Sequence, residues 1–219
     1  MYGQDPIRKE DLAVAIIWLF HVSGIVGILY GDSHWFVNAT PLNLGLSFAL
    51  LLYTSRRQSR VFIIAFVAFI VGLVAEAIGV NYGLIFGDYT YGNALGSKIA
   101  GVPWLIGVNW AILTICCGAI ATHMVDSFVF RILLGVALML FLDGVIEPIA
   151  PILDFWEFSG GVAPMQNYLG WFMVGLPLQI FFQLLKIRLE ETFTHHLYLL
   201  QLLFFTVLLL QINTLQNAL

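Results

Sequence analysis

The chain is 219 residues long, 60% hydrophobic and only 10% charged, with a formal net charge of −4. Soluble domains carry about a quarter charged residues, so this balance excludes a water-soluble domain and a nucleic-acid role, and several runs reach the ~20 apolar residues that cross a bilayer. The expectation is one integral-membrane domain over residues 1–219: an all-α, polytopic helix bundle of about seven transmembrane helices.

The amino terminus, MYGQDPIRKEDL, is short and mixed in charge, and the first apolar run lacks a convincing small-x-small cleavage site. That reads as a retained first helix rather than a signal peptide. Seven spans follow in order, at 12–30, 38–54, 61–81, 103–122, 130–149, 168–186 and 197–215. The second is short and opens on Asn38, Thr40 and Pro41. With the amino terminus inside, the inner segments hold Arg8, Lys9, Arg56, Arg57, Arg60, Arg131, Lys186 and Arg188, and the outer segments hold only Lys98. Eight of the nine basic residues on one side is the positive-inside pattern. It predicts a protein of the cell (inner or plasma) membrane with a cytoplasmic amino terminus and an outer carboxyl terminus.

Two long loops, 82–102 and 148–167, then fall on the outer side and are expected to cap a site there. Loop 82–102 is too apolar and Gly-rich for an ordinary solvated connection. Gly79, Gly83 and Gly87 repeat every four residues, a small-xxx-small pattern that favours a continuing, closely packed helix over a re-entrant loop.

Glu76, Asp143 and Glu147 lie inside runs that otherwise read as membrane spans. Each acid at a span centre costs about 2.5–3.5 kcal/mol on insertion scales, so three are tolerated only facing a bundle interior, paired, or doing chemistry. Asp143 and Glu147 are four apart and share a helix face, and Pro148 ends or kinks the helix directly after them. Of two carboxyls held together in an apolar site, one keeps its proton at neutral pH, the state a general acid requires. The competing reading is a set of buried acids hydrogen-bonded to Asn, Tyr or Trp to fix helix packing.

Asn81, Tyr82, Asp88, Tyr89 and Tyr91 follow Glu76, Asn109 and Trp110 sit early in the fourth span, and Asn167, Tyr168 and Trp171 open the sixth. Aromatic residues at this depth are ordinarily interfacial belt residues. Three amides beside the acid-bearing spans can also position a water, and rings can steady a cation through their faces. Cys116 and Cys117 are adjacent in an apolar run and read as packing residues. The five histidines are scattered, and the adjacent His195 and His196 cannot share a helical face, so no metal is expected. No lysine lies in mid-span, which removes a retinal Schiff base, and no phosphate-cradling or nucleophile-elbow motif occurs.

The runs EAIGVNYGLIFGDYTYG, GVPWLIGVNW, DGVIEPIAPILDFWEF and NYLGWF, in that order, resemble the carotenoid biosynthesis membrane-protein family that includes the CruF-type carotenoid 1,2-hydratases; the match covers roughly 76–172. The resemblance implies addition of water to the terminal isopropylidene double bond of an acyclic carotenoid, giving a tertiary alcohol. The implied partners are a lycopene- or γ-carotene-type substrate, water and the lipid bilayer, with no cofactor. Our own assignment on the matching positions makes Asp143 or Glu147 the proton donor and Glu76 and Asp154 the candidates for base or second carboxylate. Asn81, Tyr82, Asp88, Tyr89, Tyr91 and Trp104 are expected to contact substrate, as are Asn109, Trp110, Trp156, Asn167, Tyr168 and Trp171. The alternatives are a carotenoid cyclase or isomerase, a non-catalytic carotenoid-binding protein, and a proton-coupled carrier. The inner halves of the third and fifth spans, free of titratable groups beyond Arg131, disfavour the carrier.

Overall fold

A computed structural model of the chain describes residues 8–55 and 58–219; Arg56 and Arg57, counted above among the inner basic residues, lie outside the described residues, as does the stretch 1–7. The helices are α1 (Lys9–Tyr30), α2 (Ser33–Asn38), α3 (Thr40–Thr54), α4 (Ser59–Tyr82), α5 (Trp104–Met124), α6 (Phe128–Ile146), α7 (Met165–Leu184), α8 (Glu191–Leu210) and α9 (Ile212–Ala218). Four short strands, β1 (Tyr89–Tyr91), β2 (Lys98–Ile99), β3 (Val102–Pro103) and β4 (Trp156–Phe158), complete the described elements.

Among the described residues six segments are long and apolar enough to cross a bilayer: α1, the continuous stretch Ser33–Thr54 formed by α2 and α3, α4, α5, α6 and α8. The second expected span therefore exists and begins earlier than its polar opening suggested, with a break at Ala39 and Pro41 in the first turn of α3, where its missing N–H is harmless. The sixth expected span, 168–186, is α7. Its 20 residues rise about 30 Å, but it falls outside the apolar six because it spends its buried face on Asn167, Gln179 and Gln183.

Helix α5 runs through the middle of the bundle, with 89% of its span buried. The helices around it turn large apolar side chains outward, among them Phe66 on α4, Phe141 on α6 and Met173 on α7. This is the inverse of a soluble bundle and suits lipid as solvent. Glycines set the close approaches: a Cβ on Gly72 would fall 2.4 Å from the Trp110 ring, and one on Gly118 would fall 2.5 Å from Phe182.

The Gly79/Gly83/Gly87 repeat does not continue the helix. Helix α4 stops at Tyr82, Gly83 takes a left-handed φ of +64° and donates its N–H to the Gly79 carbonyl at 2.8 Å, and Gly87 is also at positive φ. A left-handed glycine is an ordinary helix stop, and it turns the chain back over the helix end. The two long loops then pair. Strands β1 and β4 run antiparallel, with Tyr89 opposite Phe158, Thr90 opposite Glu157 and Tyr91 opposite Trp156. An otherwise all-α bundle is thus closed at one end by a small β-ribbon.

Hydrogen bonds from Gln58 Nε2 to the Arg188 carbonyl and from Arg60 Nη1 to the Leu185 carbonyl, both 3.1 Å, place the start of α4 and the end of α7 together. Arg131, Lys186 and Arg188 line one cavity at that same end. Lys98 lies at the ribbon end, its Nζ donating to the Tyr91 carbonyl at 2.6 Å.

Candidate active site

Helix α6 presents Asp143 and Glu147 one turn apart, and both are buried. The helix ends beside them because Pro148 cannot extend it; Glu147 N–H still closes on the Asp143 carbonyl at 3.0 Å. Asn167, on the first turn of α7 and itself buried, bridges the pair. Its Nδ2 donates to Asp143 Oδ2 at 3.0 Å and to Glu147 Oε1 at 2.9 Å. Trp156 on β4 donates its indole N–H to Glu147 Oε2 at 3.1 Å.

Glu76 on α4 is buried and surrounded by donors. The Tyr89 hydroxyl donates to Oε2, the Tyr91 hydroxyl donates to Oε2 at 2.8 Å, and Trp110 Nε1 donates to Oε1 at 2.9 Å. The two tyrosines sit at alternate positions of β1, which turns both inward. Burial, with the Glu76 charge beside them, pushes both hydroxyls up from the ordinary tyrosine value. They remain protonated donors throughout the physiological range. The Trp110 ring stacks on Trp171 with centroids 4.1 Å apart and an 18° interplanar angle.

These groups converge on one chamber. Glu76, Asp143 and Glu147 line it together with Asn109, Asn167, Tyr89, Tyr91, Trp110, Trp156 and Trp171. Its free space is about 20 Å³, room for roughly one water molecule. Phe86, Ile106 and Phe158 complete the wall, and sequence reasoning missed them. Phe158 had a signal, since WEF alternates in step with YTY and puts Trp156 and Phe158 on one face. Phe86 had none, because its inward position depends on the left-handed turn at Gly83.

Other expected site residues lie elsewhere. Asp154 is exposed and at positive φ; its Oδ2 accepts the backbone N–H groups of Asn93 and Ala94 at 2.8 and 3.2 Å. The structure sets it apart from the other three acids, as a clamp between the two loops. Asp88 accepts from Ser159 Oγ at 2.7 Å in the same loop pairing. Asn81 ties its own helix to the Ala100 carbonyl at 2.9 Å. Tyr82 and Trp104 are exposed, and Tyr168 packs half-buried near Gly144, outside the chamber wall. Each was near Glu76, Asn109 or Asn167 in sequence but on another side of its helix or loop.

An apolar helix bundle that buries three acids together at one end has the construction of an integral-membrane protein, and buried acids of this kind mark a candidate functional site. The chain belongs to the carotenoid biosynthesis protein family, whose model it matches over residues 38–219. Bisanhydrobacterioruberin hydratase of Haloarcula japonica is 29% identical over 158 residues, covering 68% of this chain and 50% of the relative. The chain thus spans about half the length of that curated relative. No solved structure matches it.

Proposed function

We propose that the protein is a hydratase that adds water to the terminal isopropylidene double bond of an acyclic carotenoid end group. The observation that carries this reading is the convergence of Glu76, Asp143 and Glu147 on a single water-sized chamber walled by indole and phenol rings. Hydration of a trisubstituted alkene needs an acid to protonate the less substituted carbon. It then needs a means of surviving the tertiary cation, and a base to take a proton as water adds. The acid pair on α6 supplies the first and last of these. One member gives its proton to the alkene; the carboxylate left behind accepts a proton from the attacking water, so the site returns to its starting state with one water consumed. Asn167 holds the pair in register.

Glu76 plays a different part. Its oxygens accept from three donors, which fix its orientation toward the chamber, and in its carboxylate form it stabilises the cation electrostatically rather than exchanging protons with the alkene. The faces of Trp110, Trp171 and Trp156 add cation–π stabilisation. An isopropylidene end is larger than a water, so substrate entry requires the β-ribbon or its aromatic side chains to part. The remaining length of the polyene lies along the apolar exterior of the bundle, in the bilayer.

Cyclisation would follow if the same cation met an internal alkene before water. The amides of Asn109 and Asn167 beside the acids, able to hold a water there, favour hydration. The decisive experiment is expression in a host that accumulates lycopene or γ-carotene, followed by mass analysis of the pigments. A gain of one water per reacted end is expected; an isomer of unchanged mass would replace the hydratase with a cyclase or isomerase, and unmodified pigment bound to the protein would make it a binding subunit.

A further inference from the structure

At the end of the bundle opposite the acid chamber lies a second cavity, of about 260 Å³, between the ends of α5 and α7 and the start of α6. Its floor is polar: Thr122 and Gln183 hydrogen-bond side chain to side chain at 3.1–3.2 Å. Its wall carries three cations, Arg131, Lys186 and Arg188. None of the three has a carboxylate within 4 Å among the described residues. The Arg131 side chain and the backbone that carries Lys186 and Arg188 are held in place. Arg131 Nε donates to the Val125 carbonyl at 2.6 Å, and residues 185–188 are clamped to the start of α4 through Arg60 and Gln58. The rim is apolar, with Phe128 46% and Leu184 61% exposed toward the exterior of the bundle.

We propose that this cavity binds a phosphate-bearing anion, specifically the headgroup of an anionic phospholipid. Three unpaired cations around a polar floor supply charge and donors for a phosphate. The apolar rim points to a ligand whose other end is an acyl chain, which separates a lipid from a soluble phosphate. Basic pockets between membrane helices hold such headgroups by this combination. The assignment is independent of the chemistry in the acid chamber.

The test is thermal unfolding of the purified full chain in detergent, titrated with dioleoylphosphatidylglycerol, dioleoylphosphatidylcholine or glycerol phosphate. Phosphatidylglycerol is expected to raise the unfolding midpoint, and phosphatidylcholine and glycerol phosphate are not. Lys186→Gln with Arg188→Gln should weaken the phosphatidylglycerol effect by roughly tenfold in apparent affinity, while Arg8→Gln, a control cation paired with Asp11, should leave it intact. If the double variant does not fold, Arg188→Gln alone should show a smaller loss in the same direction. Equal responses to the two lipids, or a response untouched by the variants, would overturn the proposal. A response to glycerol phosphate that the variants abolish would overturn the lipid assignment in favour of a soluble phosphate.

Discussion

Asn167 offers one amide nitrogen to two carboxyls, so the geometry of the α6 acid pair depends on a residue from a different helix. Asp143→Asn and Glu147→Gln are each expected to lower hydration about 10²–10⁴-fold, the range for loss of a general acid or base, with protein levels in the membrane preserved. Pigment analysis normalised to immunoblotted protein checks this; wild-type product from both variants would remove the pair from the chemistry. Glu76 differs in how many side-chain donors it accepts: three, against two at Glu147 and one at Asp143. In Glu76→Gln the amide oxygen can keep Trp110 only if its N–H₂ faces Tyr89 and Tyr91, whose hydroxyls must then turn from donating to accepting, a rearrangement costing about 1–3 kcal/mol. Loss of thermal stability together with activity is therefore expected there, in contrast to the α6 variants. Tyr89 and Tyr91 yield a pH signature. Their folded pKa values lie above the unfolded value of 10.0, so the folded state binds the proton more tightly. Stability from this source is full below pH 10 and is lost as pH rises beyond it. Tyr89→Phe should flatten the fall in unfolding midpoint between about pH 10 and 11, as followed by tryptophan fluorescence.

Helices α4 and α5 pack closely where Gly72 meets Trp110, and that contact positions the indole that donates to Glu76. A Cβ at Gly72 would lie 2.4 Å from the ring, so Gly72→Ala must displace Trp110. The displacement would break the Glu76 hydrogen bond and the stack on Trp171 together. Activity should fall at least about tenfold with a destabilisation of about 1–3 kcal/mol, although Gly72 lies outside the chamber wall. Gly45→Ala, where nothing lies within 4 Å of the added methyl, is the matched control and should be silent. Helix α7 shows what a polar face does inside such a bundle. Gln179 Nε2 reaches the Thr114 carbonyl at 3.1 Å and Gln183 Nε2 the Gly118 carbonyl at 3.2 Å, tying α7 to α5 below the site. Interhelical hydrogen bonds of this kind average only about 0.6 kcal/mol, so Gln179→Met is expected to shift stability little and leave hydration unchanged.

At the scale of the molecule the acid chamber lies at one end and a cluster of basic residues at the other, with Lys98 at the ribbon end. Arg60, Arg131, Lys186 and Arg188 gather at one, and the β-ribbon over the acids closes the other. The positive-inside rule predicts that the ribbon end faces outward, and cysteine labelling tests that orientation. A cysteine replacing Gly160, exposed in the loop after β4, should be labelled by an impermeant thiol reagent in intact cells, and one replacing Ser59 should not. The native Cys116 and Cys117 are buried and contribute little background. Labelling at Ser59 alone would invert the orientation and place the acid chamber at the cytoplasmic face.

Much of this was legible in one dimension because the bilayer imposes it. Long apolar runs, three acids too costly to leave unpaired, and a lopsided distribution of lysine and arginine each follow from the solvent the helices occupy. The i,i+4 spacing of Asp143 and Glu147 put them on one face, and Pro148 marked where their helix stops. What the linear pattern left open were contacts between segments remote in sequence. The Gly79, Gly83 and Gly87 spacing suits a helix as well as a turn, and only the left-handed φ at Gly83, supported by the packing of Phe86 and Tyr89 over the helix end, decided between them. That turn brought β1 to β4, delivered Tyr89, Tyr91 and Trp156 to acids on two different helices, and left Asp154 outside as a loop clamp. The sequence by itself determined a membrane bundle with buried acids, since hydropathy and the cost of burying charge are properties of single segments. Which acids share a chamber was decided by the tertiary structure, because the register of two loops is set by side chains meeting across the fold.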